Sequence, residues 1–147
     1  MAPFIVLTGS FALLRLAGFF GVEALDETSL PLRIAVALMF LLTASAHWGK
    51  RRPDLVRMVP KWIVRPEQAV TVTGVLEILG AIGMLIPLTS PYAAVGLAIL
   101  LVAMFPANVR AAREHLTIAG TAVPALPART ALQIVFFAAV LGAGLIG

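Results

Sequence analysis

An all-α, polytopic transmembrane helical bundle is the fold this sequence predicts, and three features predict it. Of 147 residues, 61% come from the hydrophobic set and only 12% are charged. The mean hydropathy is +1.01. A soluble domain is about half apolar and about a quarter charged, so both departures point to lipid as the solvent. The third feature is the arrangement of the apolar residues. They fall in five runs, at about 4–22, 31–48, 69–88, 92–109 and 130–146, each near the roughly 17–25 residues a helix needs to cross hydrocarbon. Lipid cannot hydrogen-bond an open backbone, and the runs lack the alternation of barrel strands, so each run is expected to be a helix. The whole chain, 1–147, reads as one transmembrane domain.

The first run, 4–22, carries Arg15. It does not read as a cleaved leader, because it has no basic n-region and no small-x-small site before Glu23, Asp26 and Glu27. The second run starts at Pro31 and closes on His47 and Trp48. The segment that follows, 53–66, has the sequence PDLVRMVPKWIVRP. Its basic residues alternate with apolar ones, which suits a stretch lying in the headgroup layer with Trp48 and Trp62 as interfacial anchors. The third run holds Glu77, the fourth closes on Pro106 and Asn108, and the fifth opens behind Arg129 and carries Gln133. Prolines 31, 53, 66, 87, 91, 124 and 127 sit at or beyond run ends, where a missing N–H costs nothing.

Charge sets the expected orientation. Nine of the eleven basic residues lie in 49–68 or 110–129, whereas the other loops hold Glu23, Asp26 and Glu27 with Arg33, or no charge at all from 88 to 92. By the positive-inside rule the two basic segments are cytoplasmic, which puts the N-terminus inside and the C-terminus outside a plasma membrane. The net charge of +4 is thereby a loop bias, and nucleic acid is not an expected partner. Cysteine is absent and histidine occurs twice, so disulfides, thiolate chemistry and a metal or haem site are not expected. No nucleotide-binding or nucleophile-elbow motif is present.

Polar residues inside apolar runs mark the candidate site, since a charge at the bilayer centre costs a few kcal/mol. Arg15 and Glu77 are expected at similar depth, and an Arg15–Glu77 ion pair joining the first and third spans is the simplest account. Thr73, Gly74, Gly80 and Ala81 share a face with Glu77, and small residues there allow close helix approach. Without a partner, Glu77 becomes a candidate for proton chemistry. His47, Asn108, Arg129 and Gln133 all fall in the same leaflet. One ligand pocket is expected, lined by His47, Asn108, Arg129 and Gln133, with Glu77 as its floor and 53–66 as its cover. Glu77 and His47 are the candidate catalytic residues if the chain is an enzyme.

Four segments carry a resemblance to a known family: TASAHWGKRRPDLVRMVP, TGVLEILGAIGMLIP, AAVGLAILLVAMFPANV and RTALQ, within residues 43–133. They resemble the DoxX family of small bacterial membrane proteins. The family's His-aromatic, Gly-x-x-Glu, Pro-Ala-Asn and Arg/Gln positions fall on His47 with Trp48, Gly74 with Glu77, Pro106 to Asn108, and Arg129 with Gln133. The resemblance implies a four-helix core plus an extra N-terminal span in a bacterial inner membrane. It also implies an accessory subunit of a membrane oxidoreductase that binds a quinone or a lipid and has no catalysis of its own. The alternatives are an intramembrane isomerase-like enzyme on a lipophilic substrate and a small transporter. Ala138 with Gly142, and Ala139 with Ala143, are candidate faces for a homo-oligomer.

Overall fold

In the computed structural model, which describes residues 1–146, the helices are α1 (Ala2–Phe19), α2 (Ser29–Ser45), α3 (Arg52–Met58), α4 (Pro66–Leu85), α5 (Ser90–Arg113) and α6 (Leu126–Leu145). A 3-10 turn, Glu23–Leu25, follows α1, and a small antiparallel hairpin, β1 (Thr117–Ile118) with β2 (Thr121–Ala122), precedes α6. Four helices, α1, α4, α5 and α6, are long and apolar enough to cross a membrane. The five comparable spans expected from sequence are therefore corrected to four long helices and one shorter one. α2 has 17 residues, about 25 Å at ~1.5 Å per residue. It stops at Ser45, short of Trp48, because the N–H groups of Ala46 and His47 turn back to the carbonyls of Thr43 and Ala44.

α1 and α4 also end three residues early, at Phe19 and Leu85, whereas other boundaries move outward. α4 opens at Pro66, α5 runs on to Arg113, and α6 opens at Leu126. Proline lies in the first turn of α1, α3, α4, α5 and α6, where its fixed φ suits the helix and no N–H is needed. Polar residues in those added turns hide them from a purely apolar criterion.

α2, α4, α5 and α6 close a four-helix ring in that order, and α1 packs outside it on α2 and the 3-10 turn. The shortest helix of the ring is the most enclosed: Val36, Met39 and Phe40 of α2 are buried with Met84, Leu97 and Val140 from the other three. Where helices cross closely, one partner is glycine. A Cβ on Gly80 would come within 2.3 Å of Leu97, and one on Gly144 within 2.2 Å of the Ala94 Cβ and 2.9 Å of the Ser90 carbonyl oxygen. The Ala139–Ala143 face expected to serve a homo-oligomer is spent inside the ring: Ala143 is fully buried and Ala139 packs against the core.

The two basic connections meet at one end of the ring. Arg110 donates to the Val59 carbonyl, and the Ala119 N–H donates to Asp54 Oδ2 over 2.8 Å. α3 is only seven residues, Met58, Val59 and Pro60 turn inward, and Trp62 and Val64 point away from the protein. Asp54 fastens the hairpin: the Ala119 N–H and then Arg57 hold its carboxyl below the ordinary aspartate range. A depressed folded pKa means that the contact is fully present above the unfolded value, about 4, and is lost as pH falls through the folded value. Amide exchange at Ala119 should accordingly be slow and pH-insensitive in its protection near neutrality, lose protection in acid, and lose it at all pH values in Asp54→Ala. Equal protection in that variant would show that the hairpin is held otherwise.

Candidate functional site

The polar residues picked out by sequence form two clusters on two helix seams, and no hydrogen bond or ion pair among the described residues joins them. The single pocket floored by Glu77 is corrected to this arrangement. The first cluster lies between α2 and α4. Thr43 and His47 are four residues apart, so they share a face, and both meet Glu77. Thr43 Oγ1 lies 2.9 Å from Glu77 Oε2, and His47 Nδ1 lies 3.8 Å from the same oxygen. His47 Nδ1 is also 3.1 Å from the Thr43 carbonyl oxygen, the geometry of a donated N–H. Glu77 is 2% exposed.

Gly74, one turn before Glu77, makes this approach feasible. A Cβ there would sit 2.7 Å from His47 Cβ and 2.8 Å from the Trp48 ring. Arg52 then clamps the end of α2 to the start of α4, donating to the His47 carbonyl at 2.7 Å, the Glu67 carbonyl at 3.0 Å and Thr71 Oγ1 at 2.9 Å. The cluster is close-packed, and two grooves of the surface, one between α5 and α6 and one beside α3, are lined by other residues.

Arg15 does not reach Glu77. Its guanidinium folds back to the carbonyls of Leu25 and Asp26 in the turn after α1. Gly18 admits that turn, since a Cβ there would lie 2.3 Å from the Leu25 oxygen. The expected Arg15–Glu77 ion pair fails because α1 packs on α2 and the following turn, so the nearest acceptors for Arg15 are backbone carbonyls beside it.

The second cluster lies between α5 and α6. Arg129 donates through Nη2 to Asn108 Oδ1, the Asn108 amide stands 3.5 Å from Gln133 Oε1, and the Gln133 amide donates to the Leu101 carbonyl at 2.6 Å. Pro106 has no N–H for the neighbouring Val102 carbonyl, so the helix backbone is open to side-chain donors at this level. Arg129 Nε is buried without a partner, and no carboxylate among the described residues lies within ion-pair distance of it.

Sequence reasoning missed three residues. Arg33, assigned to an outer loop, is 7% exposed within α2, and its Nε donates at 3.1 Å to the carbonyl of Ala143 in the last turn of α6. A cation there also faces the negative end of the helix dipole. Its position inside an apolar run could have revealed it. Thr43 was readable as the residue one turn before His47. Arg52 had no distinguishing signal among its basic neighbours.

A model of a domain of unknown function (DUF8561) matches residues 36–143, from within α2 to within α6. The match leaves out α1, the helix that also stands outside the ring. No curated protein and no solved structure matches the chain. The DoxX resemblance is overturned: the matching family is a different one, and no DoxX match is found. The short motifs behind it are small and polar residues set into apolar helices, which a bundle needs wherever two helices approach closely and buried backbone or side chains require partners.

Proposed function

We propose, for a chain that belongs to the DUF8561 family, that it is a membrane protein of five crossings that holds the polar headgroup of a lipophilic ligand, a lipid or a quinone, at Asn108, Arg129 and Gln133. The observation that carries this is Arg129. A guanidinium within an apolar bundle costs several kcal/mol unless its donors are met, and here Nε is buried and unpartnered. A headgroup with acceptor oxygens supplies the missing partner. α2, extended through the turn at Ala46–Trp48, is the fifth crossing, and the basic end faces the cytoplasm.

The oxidoreductase association came with the DoxX resemblance and has no support apart from it. An enzyme working through Glu77 and His47 is the weaker reading, because both side chains are buried, with Gly74 and Trp48 packed against His47. Purification in mild detergent followed by solvent extraction tests the headgroup site. The native chain should release a lipophilic molecule in near-stoichiometric amount, and Arg129→Gln should release far less while eluting as the same species. Equal yields from both, or none from the native chain, would refute the proposal.

A further inference from the structure

The seam that ends on Arg129 continues as an apolar groove. On α6, Arg129, Gln133, Phe137 and Leu141 recur every four residues and so form one stripe. The first two are the polar cluster; the last two line a groove of about 470 Å³ whose other wall is α5, with Val95, Ala98, Ile99 and Ala103. The groove is open along its length, and its walls carry almost no polar atoms. Beyond Leu141 the two helices cross tightly at Gly144 and Ala94. At the other end, Gln133 reaches the Leu101 carbonyl one turn below Phe137. From Arg129 to Leu141 the stripe covers twelve residues, about 18 Å along the helix. A cation with an unmet donor, a polar belt and a dry channel therefore follow one another along a single seam.

We infer that this seam seats one anionic membrane phospholipid, with its phosphate at Arg129 and Asn108 and an acyl chain lying in the α5/α6 groove; the inference rests on the headgroup site proposed above. Charge complementarity selects an anionic headgroup, because the cluster offers the Arg129 cation and the Asn108 amide and no carboxylate. Continuity selects the chain: a phospholipid in the leaflet at the basic end has its head at that level and its tails directed toward the other end, which is the direction of the groove. The groove's lining then contacts a defined chain rather than exchanging lipid at random.

Retention of added phospholipid by the purified full chain, read by native mass spectrometry, tests this. Long-chain phosphatidylglycerol should be retained at least about tenfold better than either short-chain phosphatidylglycerol or long-chain phosphatidylcholine, a difference of about 1.4 kcal/mol. Ala103→Trp, which places a ring in the groove from an exposed position, should abolish the chain-length preference and leave the headgroup preference. Equal retention of short and long chains by the native protein, or an unchanged Ala103→Trp, overturns the groove assignment even where Arg129→Gln still weakens binding. Equal or better retention of phosphatidylcholine overturns the anionic occupant. Indifference of retention to Arg129→Gln sinks the headgroup site itself.

Discussion

Gly144→Leu should unfold the ring at the α5/α6 seam. The Cβ of any residue at 144 would lie 2.2 Å from the Ala94 Cβ and 2.9 Å from the Ser90 carbonyl oxygen. Both atoms are backbone or bound directly to it, so neither can rotate aside. Relief requires moving α6 away from α5 by an ångström or more, and Ala143, Val140 and Leu97 lie in the same packed layer. Overpacking of this kind costs about 1–3 kcal/mol where side chains can yield, and more where they cannot. The expectation here is a loss of at least about 3 kcal/mol by that scale, measured as the shift in detergent-induced unfolding of the purified chain. Gly96→Leu provides the control on the same helix as Ala94: nothing lies within 4 Å of its Cβ position, so its unfolding should match the native chain. If Gly144→Leu unfolds with the control, the close α5/α6 crossing is wrong.

That crossing shows what could and could not be read from sequence. Apolar length and charge segregation are properties of the chain alone, so the apolar runs and the basic end were legible, whereas the helix starts at Pro66 and Leu126, with their polar first turns, were not. Which helix touches which is not such a property. Arg15 and Glu77 shared an expected depth but not a seam, because α1 sits outside a ring already closed by α2, α4, α5 and α6. Depth along a helix follows from residue counts, whereas lateral position depends on packing small residues against specific partners. Gly74, Gly80 and Gly144 do that packing, and only Gly74 and Gly80 had been associated with a buried face, through their spacing from Glu77. Arg33 was missed for a related reason. Near the end of an apolar run a cation reads as a solvated loop residue, yet the last turn of α6 arrives beside it and offers the Ala143 carbonyl.

The two polar clusters differ in how completely their groups are matched, and this difference separates structure from binding. Around Glu77 every polar neighbour has a partner: Thr43 with Phe40 and Glu77, His47 with Thr43, and Arg52 with three acceptors. Around Arg129 one donor is left over. Buried polar networks that are complete rigidify a fold, and incomplete ones call for a further partner. Under the function proposed above, the seam between α2 and α4 is a structural joint and the seam between α5 and α6 is the one that takes the ligand.

A substitution series at Glu77 tests that distinction, and its largest effect should come from Glu77→Lys. The side chain is 2% exposed, with His47 at 3.8 Å and Arg52, at the start of α3, bonded to the His47 carbonyl. A lysine there sets a second cationic group against the imidazole and leaves Thr43 Oγ1 with only the Phe40 carbonyl as acceptor. Even the lenient insertion scales put a misplaced charge at about 2.5–3.5 kcal/mol, so Glu77→Lys should lose about 3 kcal/mol or fail to accumulate in membranes. Glu77→Gln behaves differently, because a carboxamide has nearly the same shape and keeps an acceptor oxygen for the Thr43 hydroxyl. Its cost should stay near the value of one neutral hydrogen bond, about 1 kcal/mol, and lipid retention at Arg129 should be unchanged, since the clusters are not connected. A loss above about 2 kcal/mol for Glu77→Gln would instead mean that a charged contact with His47 holds α2 to α4. Reduced lipid retention in that variant would mean that the two seams act together, and the assignment of one to structure and the other to binding would fall.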